Sequence, residues 1–399
     1  MFDETEKQII EEGMEVKSRF MVSLLTNVLR GFLSFITILI LARGLGPASY
    51  GDFAFLMGSF VAIKTLLDLG TSSAFYTFLS QKPRGSYFIL IYIIWLLVQF
   101  TLAMAIVGIV LPDDWINLFW VGQAKELVLI SLTAVFMQQQ AWQTMIHIGE
   151  SRRQTQKIQM INLFFSLGHL LVVIVLWLLG LLSLKTIFIF IIVEYGVVIC
   201  VAWKALGVMK VKSEPIKLNA VLKKYLVYCS PLIVYSLLGF SHNFADRWML
   251  QHFGGSIEQG LFEIGYRFVG IGLIATTAML NIFWKEISEA NEKKDFERGR
   301  SLYRKTSRFL FTFGAVLCGF FIPWINEIIR ILLGESYLEG APVVMVMLLF
   351  AVFNALAQIN ITFIYASSKT KTHLVLGSIC MIISIPLSYL FQAPKSFSI

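Results

Sequence analysis

Uninterrupted apolar blocks of about 20 residues or more constrain this chain more than any other feature. At 1.5 Å of rise per residue, a helix of that length crosses roughly 30 Å of hydrocarbon. In that medium every backbone amide must be satisfied within the protein, which leaves helices and closed barrels. The blocks do not alternate apolar with polar residues, so a barrel is excluded. Composition agrees: 57% of residues are apolar and only 15% charged, where a soluble domain carries roughly a quarter. The chain is therefore expected to be an all-α, multi-pass membrane protein. Eleven spans are expected, at approximately 20–42, 52–80, 87–111, 126–147, 158–181, 186–205, 226–252, 259–284, 308–333, 341–366 and 373–391.

Charge orients the spans. The net charge of +8 does not require nucleic acid, because Lys and Arg collect in alternate loops, as the positive-inside rule demands. Lys82 and Arg84, Arg152, Arg153 and Lys157, the lysines of 204–224 and the basic run 285–308 all fall on one side. The opposite segments hold only Arg43, Lys125, Lys185 and Lys395. This places the N-terminus in the cytoplasm. No cleavable signal is visible, and the first span is expected to serve as the uncleaved one. Ile9, Ile10 and Met14 give residues 1–18 a weak interfacial-helix pattern. Cys200, Cys229, Cys318 and Cys380 all lie in expected spans and read as small core residues rather than disulfides or metal ligands.

Leu41 to Ser80 organises the rest. Gly44, Gly46 and Pro47 end the first apolar block in a tight turn, and a second block starts at Tyr50. Inside it lie Lys64 and Asp68, four residues apart and so on one helix face. Charges at such depth face a protein interior or a water-filled path. The turn has a counterpart: Gly46-x4-Gly51-x-Phe53 matches Gly255-x4-Gly260-x-Phe262 at a constant offset of 209, and Leu41 matches Leu250 at the same offset. Six spans separate the two turns, so the repeat is parallel. The expected organisation is a cytoplasmic segment 1–18, an N-terminal lobe 19–205, a Lys-rich linker 206–224 with Pro215, and a C-terminal lobe 225–399.

Leu41-Ala-Arg-Gly-Leu-Gly-Pro-x-x-Tyr-Gly-x-Phe53 with Asp68-Leu-Gly70 resembles the opening of polysaccharide flippases. These are the O-antigen and capsule exporters of the multidrug/oligosaccharidyl-lipid/polysaccharide exporter superfamily. Asp246-Arg247, Gly255, Gly260-x-Phe262 and Tyr266-Arg267 resemble their spans seven and eight. The resemblance covers essentially the whole chain. It implies two six-helix bundles around a central cavity. It also implies alternating-access export of an undecaprenyl-pyrophosphate-linked oligosaccharide from the cytoplasmic to the outer leaflet, during cell-surface polysaccharide biosynthesis. Such proteins have twelve to fourteen spans, so the second bundle is expected to lack its last helix and to be less stable or inactive for it. The partners implied are the lipid-linked oligosaccharide, membrane lipids, a coupling H+ or Na+, and polymerase and glycosyltransferase proteins. No nucleic acid, cofactor or metal is expected.

Four basic residues lie deep within spans: Arg30, Lys64, Arg247 and Arg267. Counting helix rise puts Arg30 and Lys64 roughly 18 Å below the outer boundary, Arg267 about 12 Å and Arg247 about 8 Å. They read as a cationic ladder for pyrophosphate, which Arg holds bidentately. Asp68, Glu194, Asp246 and Glu263 are the embedded acids, read as coupling or charge-pairing residues. Lys64–Asp68 and Glu263–Arg267 have the i, i+4 spacing of simple neutralising pairs. Arg30 has no acid within a turn of its own helix and is the first candidate. Glu194 reads either as a coupling site or as a packed, protonated acid. Arg330, near a span end, reads as a snorkelling anchor. His147, His169, His242, His252 and His373 have no metal-ligand spacing.

Two other functions are compatible with such a chain. A cation-coupled drug antiporter of the same superfamily shares the plan but favours acids in its cavity. A membrane-embedded polysaccharide polymerase or ligase needs a catalytic cluster or a sizeable outer loop. The longest outer loop here, about 112–125, has neither, and no Ser/His/Asp or phosphate-binding motif appears, so a transporter is expected rather than an enzyme.

Overall fold

The computed structural model describes residues 2–81, 84–208, 218–366 and 370–393, with the side chains of the first turns, 2–21, and of some helical residues near 271–285 and 370–374 left undescribed. The interfacial pattern at Ile9, Ile10 and Met14, most of the linker, His373 and Lys395 thus lie outside the described residues or side chains. No strand occurs among the described residues. The helices are α1 (Phe2–Asp68), α2 (Thr71–Gln81), α3 (Ser86–Ala105), α4 (Asp113–Phe119), α5 (Lys125–Val135), α6 (Trp142–Ser151), α7 (Thr155–Leu178) and α8 (Leu184–Ala205). They continue as α9 (Leu218–Met249), α10 (Gly255–Glu292), α11 (Phe296–Phe321), α12 (Ile325–Leu332), α13 (Ala341–Ala366) and α14 (Thr370–Gln392). Wider π turns at Ile106–Val110, Phe136–Ala141 and Leu250–Gly254 join or extend neighbouring helices.

Eight helical segments among the described residues are long and apolar enough to cross a membrane, fewer than the eleven expected. Two causes account for the difference. Leu25–Asp68 and Val221–Gly270 run 44 and 50 residues, about twice one crossing, and each is broken inside by a glycine. Gly46 has φ 74, ψ 166 and Gly255 has φ 85, ψ 179, a region essentially closed to other residues. The two glycines matched by sequence therefore share one backbone conformation. The expected span 126–147 is divided among α5, the π turn Phe136–Ala141 and α6, none of which is long enough alone. The repeat extends further: the short helix α4 follows α3 as α12 follows α11.

By packing, the chain divides into two units. The first is 1–41 with 56–244 and the second is 42–55 with 245–399. The turn of the first hairpin is thus grouped with the C-terminal half of the sequence, and the division of packing falls within α9.

In the first unit, α2, α3, α6, α7 and α8 bury Phe75, Phe88, Tyr92, Trp142, Ile148, Ile158 and Val198 in one cluster. Phe75 stacks on Tyr92 with 3.9 Å between ring centres. Gly149 meets the Ile158 side chain closely enough that a Cβ would sit 2.9 Å from it, which fixes how α6 crosses α7. Some basic residues do more than orient the chain. Arg152 donates to the carbonyls of Leu206 (3.3 Å) and Val208 (3.4 Å), and Lys157 to that of Ala205 (2.6 Å). They satisfy carbonyls that the end of α8 leaves free.

In the second unit, α10, α11 and α13 close around Leu280, Phe283, Ile287, Leu310 and Ile359. Segment 42–55 is bound there at several points. The buried Tyr337 hydroxyl donates to the Ala42 carbonyl (2.8 Å) and Arg43 to that of Ile331 (3.1 Å). Asp52 accepts from Gln251 (2.9 Å) and from the Ser256 hydroxyl (2.6 Å). The glycines of the repeat meet at the centre. A Cβ on Gly51 would run into the Ser256 carbonyl oxygen, and one on Gly260 into the Pro47 carbonyl oxygen. Pro47 and Ser256 are themselves repeat mates at offset 209, so the contact is reciprocal. Only glycine lets two backbones approach this closely.

All four cysteines are free, Cys229 and Cys318 buried, Cys200 and Cys380 exposed. Arg330 lies exposed on the short α12.

Candidate functional site

The embedded charges fall into two groups, one in each unit. In the first unit, α1 carries Ser23, Asn27 and Arg30 on one face, at i, i+4 and i+7. Arg30 Nη1 donates to Asn27 Oδ1 at 3.2 Å. Turned so that its oxygen faces Arg30, the Asn162 carboxamide of α7 accepts from Nη1 at 2.8 Å and from Nη2 and Nε at 3.2 Å. Every partner of Arg30 among the described residues is neutral, so none of them balances its charge.

Asp68 does not pair with Lys64. The helix breaks at Leu69 and Gly70, both at positive φ, and the first turn of α2 takes the carboxylate. Asp68 accepts from the Ser72 backbone N–H (3.0 Å), the Ser72 hydroxyl (2.7 Å) and the Thr71 hydroxyl (3.1 Å). It also accepts from Gln140 Nε2 (3.2 Å). Three of these donors are local and already oriented, so the carboxylate is satisfied without the long lysine chain. Lys64 has no hydrogen bond or ion pair among the described residues. It lines a small cavity of about 20 Å³ with Phe60, Gln99, Phe136 and Gln140.

Glu194 of α8 has a partner on α7. It meets His169 Nδ1 of α7 at 2.5 Å, with side chains 10% and 22% exposed. Phe190 stacks on the imidazole. The two side chains are joined by one short hydrogen bond between a carboxylate oxygen and a ring nitrogen.

In the second unit, Glu263 is 3% exposed and holds two arginines, Arg267 at 2.6 Å and Arg247 at 3.3 Å. Arg267 also hydrogen-bonds the fully buried Tyr50, and Arg247 donates to the Ala54 carbonyl at 3.4 Å. The i, i+4 spacing does bring Arg267 to Glu263. Two guanidiniums share one carboxylate, so the group keeps one net positive charge and spare N–H donors. Asp246 accepts from Ser388 at 3.4 Å, turned away from this cluster as its adjacency to Arg247 requires.

Several partners escaped sequence reasoning. Asn27, Asn162, His169, Tyr50, Tyr195 and the run Gln138–Gln139–Gln140 all contact the charged residues or each other. Three consecutive glutamines inside an apolar span was the available signal. Among the described residues no group of His, Cys, Asp or Glu could hold a metal ion.

A family model, MatE, matches residues 231–390. No curated protein matches the chain. Among solved structures, an inward-facing conformation of a multidrug resistance MATE family transporter of the MOP superfamily superposes with a TM-score of 0.63 at 16% identity, covering 92% of this chain and 88% of that one. The chain has a MATE-transporter fold. A mutant of the Vibrio cholerae MATE transporter VcmN gives a TM-score of 0.45 at 17% identity, over 89% of this chain and 87% of that one. At 16% identity the likeness concerns the fold and leaves the cargo to be argued from the side chains.

Proposed function

We propose that this protein is an exporter that moves an undecaprenyl-pyrophosphate-linked oligosaccharide to the outer leaflet by alternating access. One observation carries the reading: among the described residues only one of the four embedded acids, Glu263, forms an ion pair with any of the four embedded cations. Arg30 is held by amides, Lys64 has no partner among the described residues, and Arg247 and Arg267 share Glu263. Asp68 is taken up by four hydrogen bonds. An unneutralised cation in a span is costly, and an anionic cargo offsets that cost during transport. Pyrophosphate suits guanidinium because both present parallel hydrogen-bonding edges. The His169–Glu194 pair supports a proton as the coupling ion, with N-terminus and basic loops in the cytoplasm.

A second reading, a cation-coupled drug antiporter, is favoured by the multidrug transporter among the structural relatives. It prefers a net acidic interior, whereas here four embedded cations stand against four embedded acids, of which only Glu263 pairs with any of those cations among the described residues. Expression in two hosts separates the readings: one lacking its oligosaccharide flippase, one lacking its drug efflux pumps. Restored surface glycan without drug resistance is expected. Drug resistance without glycan export would replace the flippase reading by the antiporter.

A further inference from the structure

The π turn Phe136–Ala141 carries three consecutive glutamines in the middle of an apolar stretch. Inside a helix, such turns widen the backbone by one residue and often mark functional positions. Each glutamine has a distinct fate. Gln140 is buried and donates to Asp68, which ties the turn to the start of α2. Its own Oε1 has no donor. Gln138 donates to the Tyr195 hydroxyl at 3.2 Å, and Gln139 donates to Gln138 Oε1 at 3.3 Å. Gln138 and Gln139 are only half buried. Among the described residues nothing donates to Gln139 Oε1, and the second N–H of each amide is unused. Tyr195 lies within electrostatic range of Arg30, so the strip runs on toward the cation that Asn162 holds.

Amides exposed to lipid tails would lose their hydrogen bonds outright, so the free edges of Gln138 and Gln139 require a polar environment. Their chemistry selects among polar ligands. A glutamine edge offers one acceptor and two donors, which matches a sugar hydroxyl that both donates and accepts. A phosphate is acceptor-only and is better served by the guanidinium of Arg30.

We propose that Gln138, Gln139 and Tyr195 form a carbohydrate-binding strip in the first unit, which takes sugar hydroxyls while Arg30 takes the pyrophosphate. This rests on the reading of the cargo as a glycan carrier. Gln139 is the binding residue with free hydrogen-bonding capacity, and Gln140 is a positioning residue that holds the turn through Asp68.

The test uses the full chain in proteoliposomes with two probes: undecaprenyl pyrophosphate bearing no sugar, and the same lipid bearing a tetrasaccharide. Gln139→Leu keeps the volume and removes the amide. It is expected to slow tetrasaccharide transfer about tenfold more than transfer of the sugar-free lipid, a difference equivalent to about 1.4 kcal/mol. Gln139→Asn, which keeps the amide on a shorter stem, should recover part of the loss. Equal losses for both probes would assign the glutamines to maintaining the turn and overturn the strip. Unchanged transfer of both would overturn it as well. Wild-type protein that moves neither probe would overturn the glycan-carrier reading and the strip with it, whereas wild-type transfer with an indifferent Gln139→Leu removes the strip alone.

Discussion

Replacing Gly51 by alanine tests the reciprocal turn contact at a single atom. The added Cβ would collide with the Ser256 carbonyl oxygen and sit 2.9 Å from the Gly260 backbone nitrogen. Both obstacles are backbone, so no rotamer change relieves them. Overpacking a core with one methylene costs about 1–3 kcal/mol, and a clash with fixed backbone belongs at or above the top of that range. Two controls separate the clash from other glycine effects. At Gly46 a Cβ would meet nothing within 4 Å, but φ is 74; Gly46→Ala then costs only the backbone term, about 1–3 kcal/mol. At Gly168 there is open space and ordinary helical backbone, and alanine is neutral or stabilising by up to about 1 kcal/mol. The assay is the temperature at which half of the detergent-purified protein is lost from the monodisperse peak, alongside membrane abundance. The expected order of stability is Gly168→Ala first, Gly46→Ala next and Gly51→Ala last. Gly260→Ala, the repeat mate, should resemble Gly51→Ala. Indistinguishable behaviour of Gly51→Ala and Gly168→Ala would refute the contact and the packing of segment 42–55 within the second unit.

Glu263→Gln leaves Arg247 and Arg267 sharing a neutral amide, and membrane abundance should fall by a destabilisation of about 3 kcal/mol; adding Arg267→Met should restore part of it, and normal abundance of Glu263→Gln would contradict the shared ion pair. Glu194→Gln should make transfer insensitive to an imposed pH gradient while cargo binding persists, and a retained gradient response would remove the His169–Glu194 pair from coupling. Cysteines placed at Pro47 and Glu335 should react with an impermeant reagent in intact cells and one at Lys294 only after permeabilisation; labelling at 294 in intact cells would invert the proposed orientation.

What the sequence disclosed was local. Apolar runs reported the membrane and the helical class, because span length and backbone satisfaction leave few alternatives. The offset of 209 between Gly46 and Gly255 exposed the repeat, because only glycine adopts the φ these turns need. Spacing of i, i+4 brought Arg267 to Glu263 because the helix runs unbroken between them. The same spacing does not join Lys64 to Asp68, since the break at Leu69-Gly70 supplies Asp68 with other donors. Pairs across the fold were illegible. Asn162 lies 132 residues from Arg30, and His169 lies on the helix before Glu194. Nothing in the residues of 42–55 announced that they pack with the C-terminal unit. That depends on a backbone approach between two turns, of which only the paired glycines leave a trace.

The central claim is that an anion balances the cation held by amides on α1. Export of lipid-linked glycan by Arg30→Ala, measured in a flippase-null host together with quantified membrane protein, tests it most directly. Asn27 and Asn162 are neutral and can bond to each other or to water, so loss of Arg30 should leave abundance near wild type. Export should fall to background. Arg30→Lys should recover it only in part, because an ammonium keeps the charge and loses the bidentate edge. Normal export by Arg30→Ala at normal abundance would contradict the account.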